Sequence, residues 1–327
     1  MSMTESFYNL TPEQVMRAAE SSGFDPTGEY TQLNSYENRV FDIRLEKGSH
    51  PQELNERVIA KFYRPGRWSY AAIQEEHFFL QELKSSGIPV VAPLPLSDQS
   101  SIFQYRGLYL AFFPKFFGRT PQELFISDYE KIGRSLARIH NIGQMQTARY
   151  RPILNAETMG WPVLDLLKEW VSPEVWGRYK KASTIILKHL DGTMNRFRQI
   201  RIHGDCHRGN LLLKQNREEP EDFFLIDFDD FCTGPAVQDF WMLFSGDANT
   251  LGEEEEAILS GYEELRIFDR AELGLIPLLR GLRIIHYAGW IARRWDDPSF
   301  PRLFPAFTEY NYWAYEVESL EKIAWAL

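Results

Sequence analysis

The stretch that decides the fold reads Arg201-Ile202-His203-Gly204-Asp205-Cys206-His207-Arg208-Gly209-Asn210-Leu211-Leu212-Leu213, followed at a hairpin's distance by Phe223-Phe224-Leu225-Ile226-Asp227-Phe228-Asp229-Asp230. An apolar strand ends in an exposed acid at 205, an amide follows at 210, and a second apolar strand ends in another acid at 227. Gly204 and Gly209 weaken any helix across the segment, so it reads as strand, turn and strand.

Phosphoryl transfer from ATP requires this set of groups. A carboxylate accepts or orients the proton of the attacking hydroxyl, and oxygen ligands hold magnesium against the β- and γ-phosphates. Asp205 and Asn210 have the spacing of the loop H-R-D-x-x-x-x-N, with glycine in place of arginine, and Ile226-Asp227-Phe228 matches the start of a D-F-G element. Zinc is the competing chemistry, since His203, Asp205, Cys206 and His207 are all possible ligands, but the spacing is not that of a zinc-binding helix and no second ligand cluster follows. Cys206 as a nucleophile beside His207 is disfavoured, because adjacent residues on extended chain point to opposite sides.

Working outward, such a centre needs a lysine from a strand and a carboxylate from the next helix. Val58-Ile59-Ala60-Lys61-Phe62-Tyr63 is β-rich and bounded by Pro65-Gly66, which makes Lys61 the candidate. Ser69 caps a helix expected over residues 70–84, with Ile73, Leu80 and Leu83 near one face. Glu76 lies closer to that face than Glu75 and is preferred as the partner of Lys61. Neither G-x-G-x-x-G nor GxxxxGK[ST] is present, which excludes the Rossmann and Walker readings. In their place stands Leu33-Asn34-Ser35-Tyr36-Glu37-Asn38-Arg39-Val40, small polar residues whose backbone N–H groups and Ser35 hydroxyl can bond phosphate oxygens.

The rest of the 327 residues sets the frame. Apolar alternation over residues 33–45 and short runs at 101–104 and 107–113 predict further strands, after an N-terminal helix capped by Thr11-Pro12-Glu13-Gln14. Beyond Pro114 the pattern turns helical. Thr120-Pro121-Gln122-Glu123 and Ser127-Asp128-Tyr129-Glu130 both read as capping boxes, the second opening a helix through His140. The expected architecture is α+β and bilobal: residues 1–113 a small β-rich nucleotide-binding lobe, and residues 114–327 a larger, mainly helical catalytic and acceptor lobe with the cleft near residues 113–118. Acid runs at 253–256 and 296–297 read as a helix's first turn and a solvated face. The C-terminal aromatic residues, among them Trp290, Tyr310 and Trp313, read most simply as core, with some able to line the acceptor groove.

Composition agrees with a globular protein: 44% hydrophobic and 25% charged residues, with 36 basic against 46 acidic side chains for a net charge of −10. That sign argues against nucleic acid or an anionic membrane as partner. Two cysteines cannot build a disulfide scaffold. The chain opens without the basic and apolar regions of a signal peptide, and the apolar stretch 273–292 carries Arg280, Arg283, His286 and Pro277, which suits a core helix pair and not a bilayer span. A cytoplasmic monomer is expected.

Taken together, His203 to Asn210, then Ile226-Asp227-Phe228-Asp229-Asp230, then Gly234-Pro235-Ala236-Val237-Gln238-Asp239-Phe240-Trp241 resemble the aminoglycoside phosphotransferase and choline kinase-like family, a branch of the protein-kinase-like fold. A narrower resemblance, to a bacterial stress-response branch, rests on LNSYENRV (33–40), KFYRPGRW (61–68), GPAVQDFWML and Arg293-Arg294-Trp295. The resemblance implies Mg-ATP as donor and serine or threonine of a protein as acceptor. Asp205 would be the base and a catalytic residue with Asp227, while Asn210 and Asp227 would ligate magnesium. Ser35 would meet the ATP phosphates, Lys61 and Glu76 would pair at the nucleotide, and Phe112-Phe113-Pro114 would form the hinge against adenine. Asp229 is either a ligand of a second magnesium or a solvated turn acid. Asp239 would brace the catalytic loop by accepting its backbone N–H groups. The chain lacks the glycine of D-F-G and the A-P-E element, so control by an activation loop is not expected. The acceptor stays open to a second reading, a small amino alcohol, sugar or aminoglycoside, and a nucleotide-binding pseudokinase is the third.

Overall fold

A computed structural model describes residues 3–48, 54–96, 99–214, 223–246 and 251–327. Five antiparallel strands in the order β1-β2-β3-β5-β4 form the sheet of the N-terminal part: β1 (Pro26–Leu33), β2 (Arg39–Leu45), β3 (Arg57–Phe62), β4 (Phe103–Tyr105) and β5 (Leu108–Pro114). Alternation along β3 sorts its side chains: Val58, Ala60 and Phe62 enter the core beneath the sheet, while Ile59 and Lys61 face the cleft. Lys61 sits in register with Val40 on β2 and Ala111 on β5. β1 escapes a reading by apolar alternation because it is polar and mostly exposed, with Gly28 at φ +91° and a register shift between Pro26 and Tyr30.

The helix Tyr70–Ser85 starts where Ser69 accepts the Ala72 N–H, and its buried face holds Ile73, Glu76, His77, Leu80 and Leu83. Beyond β5 the chain is mostly helical. The helices Ile126–Gly143 and Leu251–Glu263 cross closely, since a Cβ on Gly133 would lie 2.1 Å from the Ile258 carbonyl oxygen and one on Gly261 would lie 2.0 Å from that of Glu130. The strand-rich island resolves into two small sheets. β6 (Gly118–Arg119), β8 (Leu211–Lys214) and β9 (Phe223–Leu225) form one, and β7 (Ile200–Ile202) with β10 (Cys232–Gly234) forms the other. Among the described residues no helix is long and apolar enough to cross a membrane.

Four expectations need correction. No helix starts at Thr120: β6 keeps the chain extended up to Arg119, and the next helix begins at Ile126. There Asp128, read as the second residue of a box led by Ser127, instead accepts the Phe125 N–H at 3.1 Å, so the start lies earlier than predicted and the helix runs on to Gly143. The stretch 273–292 is not a helix pair; a 3₁₀ run, Arg270–Leu275, leads into one helix, Ile276–Ala292, with Pro277 in its first turn, where its missing N–H costs nothing. Asp297 is no solvated acid: it is 1% exposed and receives Arg39 at 3.4 Å and Arg64 at 2.8 Å. Trp313 is buried as expected and Trp290 turns toward the cleft, the alternative held open for these aromatics, whereas Tyr310 is exposed. His50, one of the scattered histidines set aside as zinc ligands, lies outside the described residues.

Candidate active site

A cavity of about 890 Å³ lies between the five-stranded sheet and the helical part, and Ser35, Lys61, Glu76, Asp205, Asn210 and Asp227 all line it. These six residues come from five separate segments, Asp205 and Asn210 sharing one loop, and the fold brings them to one cleft.

The loop after β7 owes its shape to buried hydrogen bonds. Asp239 is fully buried and accepts the N–H groups of His203 and Gly204, each at 2.8 Å. His140 contacts the same carboxylate at 3.0 Å and the Tyr262 hydroxyl at 2.8 Å. The expected brace is therefore in place. Gly204 has φ +84°, and a Cβ there would lie 2.3 Å from the Asp230 carbonyl oxygen, so only glycine fits. The His203 ring reads unambiguously: its Nδ1 accepts the Asp205 N–H, which leaves Nε2–H to donate to the Ile226 carbonyl at 2.9 Å. That bond ties the Asp205 loop to the residue before Asp227. Asn210 donates its amide N–H to the Asp205 carbonyl at 2.9 Å, and the Ile226 N–H returns to the Asn210 carbonyl at 3.0 Å. Asp227 itself adopts the left-handed conformation, φ 61° and ψ 63°, a costly state for a non-glycine residue that the two loops hold in place.

Asp205 presents its carboxylate to the cleft between the Arg283 guanidinium and the His207 ring, with Arg283 Nη1 at 2.7 Å from Oδ1 and His207 Nε2 at 3.5 Å from Oδ2. Burial opposes its ionisation, but the His207 hydrogen bond and the Arg283 charge prevail and hold the carboxyl well below the usual aspartate range. Across the cleft, Lys61 Nζ lies 3.6 Å from Glu76, 3.4 Å from Asp227 and 3.0 Å from Asp229. Burial favours the neutral amine, yet Asp229 and Glu76 outweigh it and raise the ammonium well above the ordinary lysine value. Glu76 is 1% exposed, and desolvation raises its carboxyl despite Lys61. Glu75 faces elsewhere, accepting the N–H groups of Arg149 and Tyr150.

Asp229 is not a solvated turn acid. It is 3% exposed, bound by Lys61 and the Arg67 guanidinium, whose other arm grips Asp230. Burial works against its charge, but Arg67 and Lys61 overcome it and keep the carboxyl well below its ordinary range. The Ser35 hydroxyl accepts the Asn38 N–H at 3.3 Å within its turn. Of the hinge residues, Phe113 and Pro114 line the cleft, while the alternation of β5 turns Phe112 into the core against Phe24. Cys206 and Cys232 are buried, and desolvation pushes both thiols far up, which leaves no nucleophile there.

Glu37, Arg67 and Arg283 also line the cleft, and the sequence reading gave none of them a role there. Glu37, in the turn beside Ser35, contacts Arg64 at 3.1 Å, Arg67 at 3.2 Å, Arg294 at 2.7 Å and the Trp290 indole N–H at 2.6 Å. Arg67 and Arg294 thus sit at the turn that carries Ser35, and Arg283 sits on Asp205. The signal for Arg67 was the pair of cations flanking Pro65-Gly66; Arg283 left no signal, since its partner lies 78 positions away.

The fold and the site define a class. The chain matches the Phosphotransferase enzyme family over residues 29–276 and belongs to it. Stress response kinase A of Salmonella choleraesuis (strain SC-B67) is 37% identical over 311 residues, covering 94% of this chain and 90% of the relative. A Salmonella typhimurium relative with the same identity and coverage bears the name serine/threonine protein kinase RdoA, and stress response kinase A of Escherichia coli K12 is 36% identical over the same shares. Among solved structures, amicoumacin kinase hAmiN in complex with AMP-PNP, Ca2+ and Ami superposes with a TM-score of 0.75 at 19% identity, over 97% of this chain and 95% of that one. A microcompartment-associated aminopropanol kinase follows at 0.70 and 20%, over 95% of each. The fold is the bilobal protein-kinase-like one expected from the sequence.

Proposed function

We propose that the chain transfers the γ-phosphoryl of Mg-ATP to a serine or threonine hydroxyl of a protein. The observation that carries the reading is the convergence of Asp205, Asn210 and Asp227 on one wall of a cleft whose other wall offers Lys61 paired with Glu76. The names of the relatives, at 36–37% identity over nearly the whole chain, support the protein acceptor.

In this reading Asp205 orients the hydroxyl and takes its proton, and catalysis is mostly positioning and charge neutralisation. Lys61, fixed by Glu76, presents its ammonium to the nucleotide phosphates, and Ser35 with its turn closes over them. The residues fit a hard divalent cation. Asn210 uses its N–H on Asp205 and keeps its amide oxygen free for a ligand bond, and the Asp227 side chain is 55% exposed toward the cleft. When bound, the cation neutralises phosphate charge. The lobes would divide between residues 113 and 114, and the chain would act as a cytoplasmic monomer.

Following labelled γ-phosphate from Mg-ATP tests the reading, with an unstructured protein and a panel of hydroxylated amines as acceptors. Label should appear on serine or threonine and fall by about 10²–10⁴-fold in Asp205→Ala; equal turnover in that variant would sink the assignment. Asp227→Ala should lose the thermal shift given by Mg-ATP. A small-molecule acceptor is the second reading, favoured by the aromatic wall that Tyr287 and Trp290 build at the acceptor end. Label confined to the amines would establish it.

A further inference from the structure

Resting on that reading, we infer that the acceptor segment carries an anionic group beside its hydroxyl and that Arg283 is the residue that reads it. Among the described residues, four lysines and arginines line the cleft: Lys61, Arg67, Lys115 and Arg283. Lys61 is engaged by Glu76, Asp227 and Asp229, Arg67 by Glu37, Asp229 and Asp230, and Lys115 by Asp42. These three belong to the sheet side, where the nucleotide would lie. Arg283 alone comes from the opposite side, from the helix Ile276–Ala292, one turn before Tyr287 and two before Trp290, whose rings stack at 5.4 Å.

Its position creates a conflict that an anionic acceptor resolves. Arg283 holds Oδ1 of Asp205 at 2.7 Å, and His207 approaches Oδ2. A hydroxyl that is to give up its proton must come within about 2.6–3.2 Å of one of these oxygens. The Arg283 side chain is 40% exposed, so it is free to turn toward the acceptor. Its guanidinium is a planar fork that matches a carboxylate or a phosphate with two parallel hydrogen bonds. An acceptor with such a group beside its hydroxyl exchanges one ion pair for another and uncovers Oδ1 as it docks. A neutral acceptor leaves the guanidinium on Asp205, and a cationic one meets Arg283 with like charge. Of the other acids on this wall, Asp230 is paired with Arg67 and Asp227 with Lys61.

The test compares the wild-type chain with R283Q, R283K and R283E on matched serine peptides. The residue beside the serine is aspartate, phosphoserine, asparagine or lysine, and the readout is kcat/KM for label transfer. A retained thermal shift with Mg-ATP shows that each variant is folded. The wild type should prefer the two anionic peptides over asparagine by about fivefold, the scale of a partly exposed ion pair, and over lysine by more. R283Q should flatten the series, R283K should keep part of it, and R283E should reverse it toward lysine. A preference unchanged within twofold in R283E, or a wild type that favours lysine, overturns the proposal. A gain for phosphoserine alone would identify phosphate as the anion read. The same four proteins are run on serine, phosphoserine, ethanolamine and a sugar as free compounds. Label only on free compounds would overturn the protein-acceptor reading while leaving Arg283 to be judged by whether phosphoserine leads and loses its lead in R283E. Label on neither panel overturns both.

Discussion

Two turns face each other across the cleft, and they are held by opposite means. The loop from His203 to Asn210 is fixed from behind by groups of its own lobe that water does not reach, chiefly Asp239, His140 and Gln238. The turn around Ser35 is held by charged side chains from both lobes: Arg64 of its own lobe donates to the Tyr36 and Glu37 carbonyls, Arg294 and Trp290 of the other lobe bind the Glu37 carboxylate, and Asp297 receives Arg39 and Arg64. The first arrangement gives a geometry that cannot drift. The second lets the nucleotide side respond to the relative position of the lobes. A glycine-rich loop would place its backbone by conformational freedom; here ion pairs do the placing.

Removing the brace should have the largest effect on this contrast. Asp239→Ala leaves two buried N–H groups and the Nε2 of His140 unpartnered, and we expect it to lower stability by about 3–5 kcal/mol, read as the urea midpoint. A shift under 1 kcal/mol would mean that the loop holds itself and that the two turns are alike.

Glu37→Gln should act more mildly. It keeps the shape and removes the charge that Arg64, Arg67 and Arg294 share, so the KM for ATP should rise by about three- to tenfold with kcat within twofold. A KM unchanged within twofold would remove the distinction drawn here.

The smallest expected effect concerns pH. Glu272 accepts the Val237 N–H at 3.0 Å and so supports the segment that carries Asp239, and burial raises its carboxyl to about 7. A carboxyl raised above its unfolded value is protonated in the folded chain, so it adds stability below about pH 4.5, keeps part of it up to 7 and loses it as pH passes through 7. Thermal midpoints between pH 6 and 8 should therefore fall by a few degrees in the wild type and stay flatter in Glu272→Gln. A parallel fall in both would place the titration elsewhere.

How much of this was legible in the sequence follows from how far apart the partners lie. The Asp205 loop and Asp227 are neighbours in one supersecondary unit, so their spacing carried the reading. Lys61 and Glu76 stand on successive elements, and the helical face separated Glu76 from Glu75. Asp239 was legible only through resemblance. The salt-linked side was not legible, because Arg67 meets Asp229 across 162 positions and Arg64 meets Asp297 across 233. Nothing in a local window distinguishes such arginines from surface ones. For the same reason a run ending in Asp297 read as solvated, and β1, with one exposed polar face, carried no alternation to read.

The two cysteines beneath the catalytic loop give the molecule an internal reporter. Cys206 follows Asp205 directly, and Cys232 opens the strand paired with β7. With both sulfurs sealed and their thiolates suppressed, disulfide reagents and alkylators have nothing to attack while the loop is closed. Labelling kinetics at these positions then become a clock for how often the catalytic loop lifts from its support, and nucleotide should slow that clock.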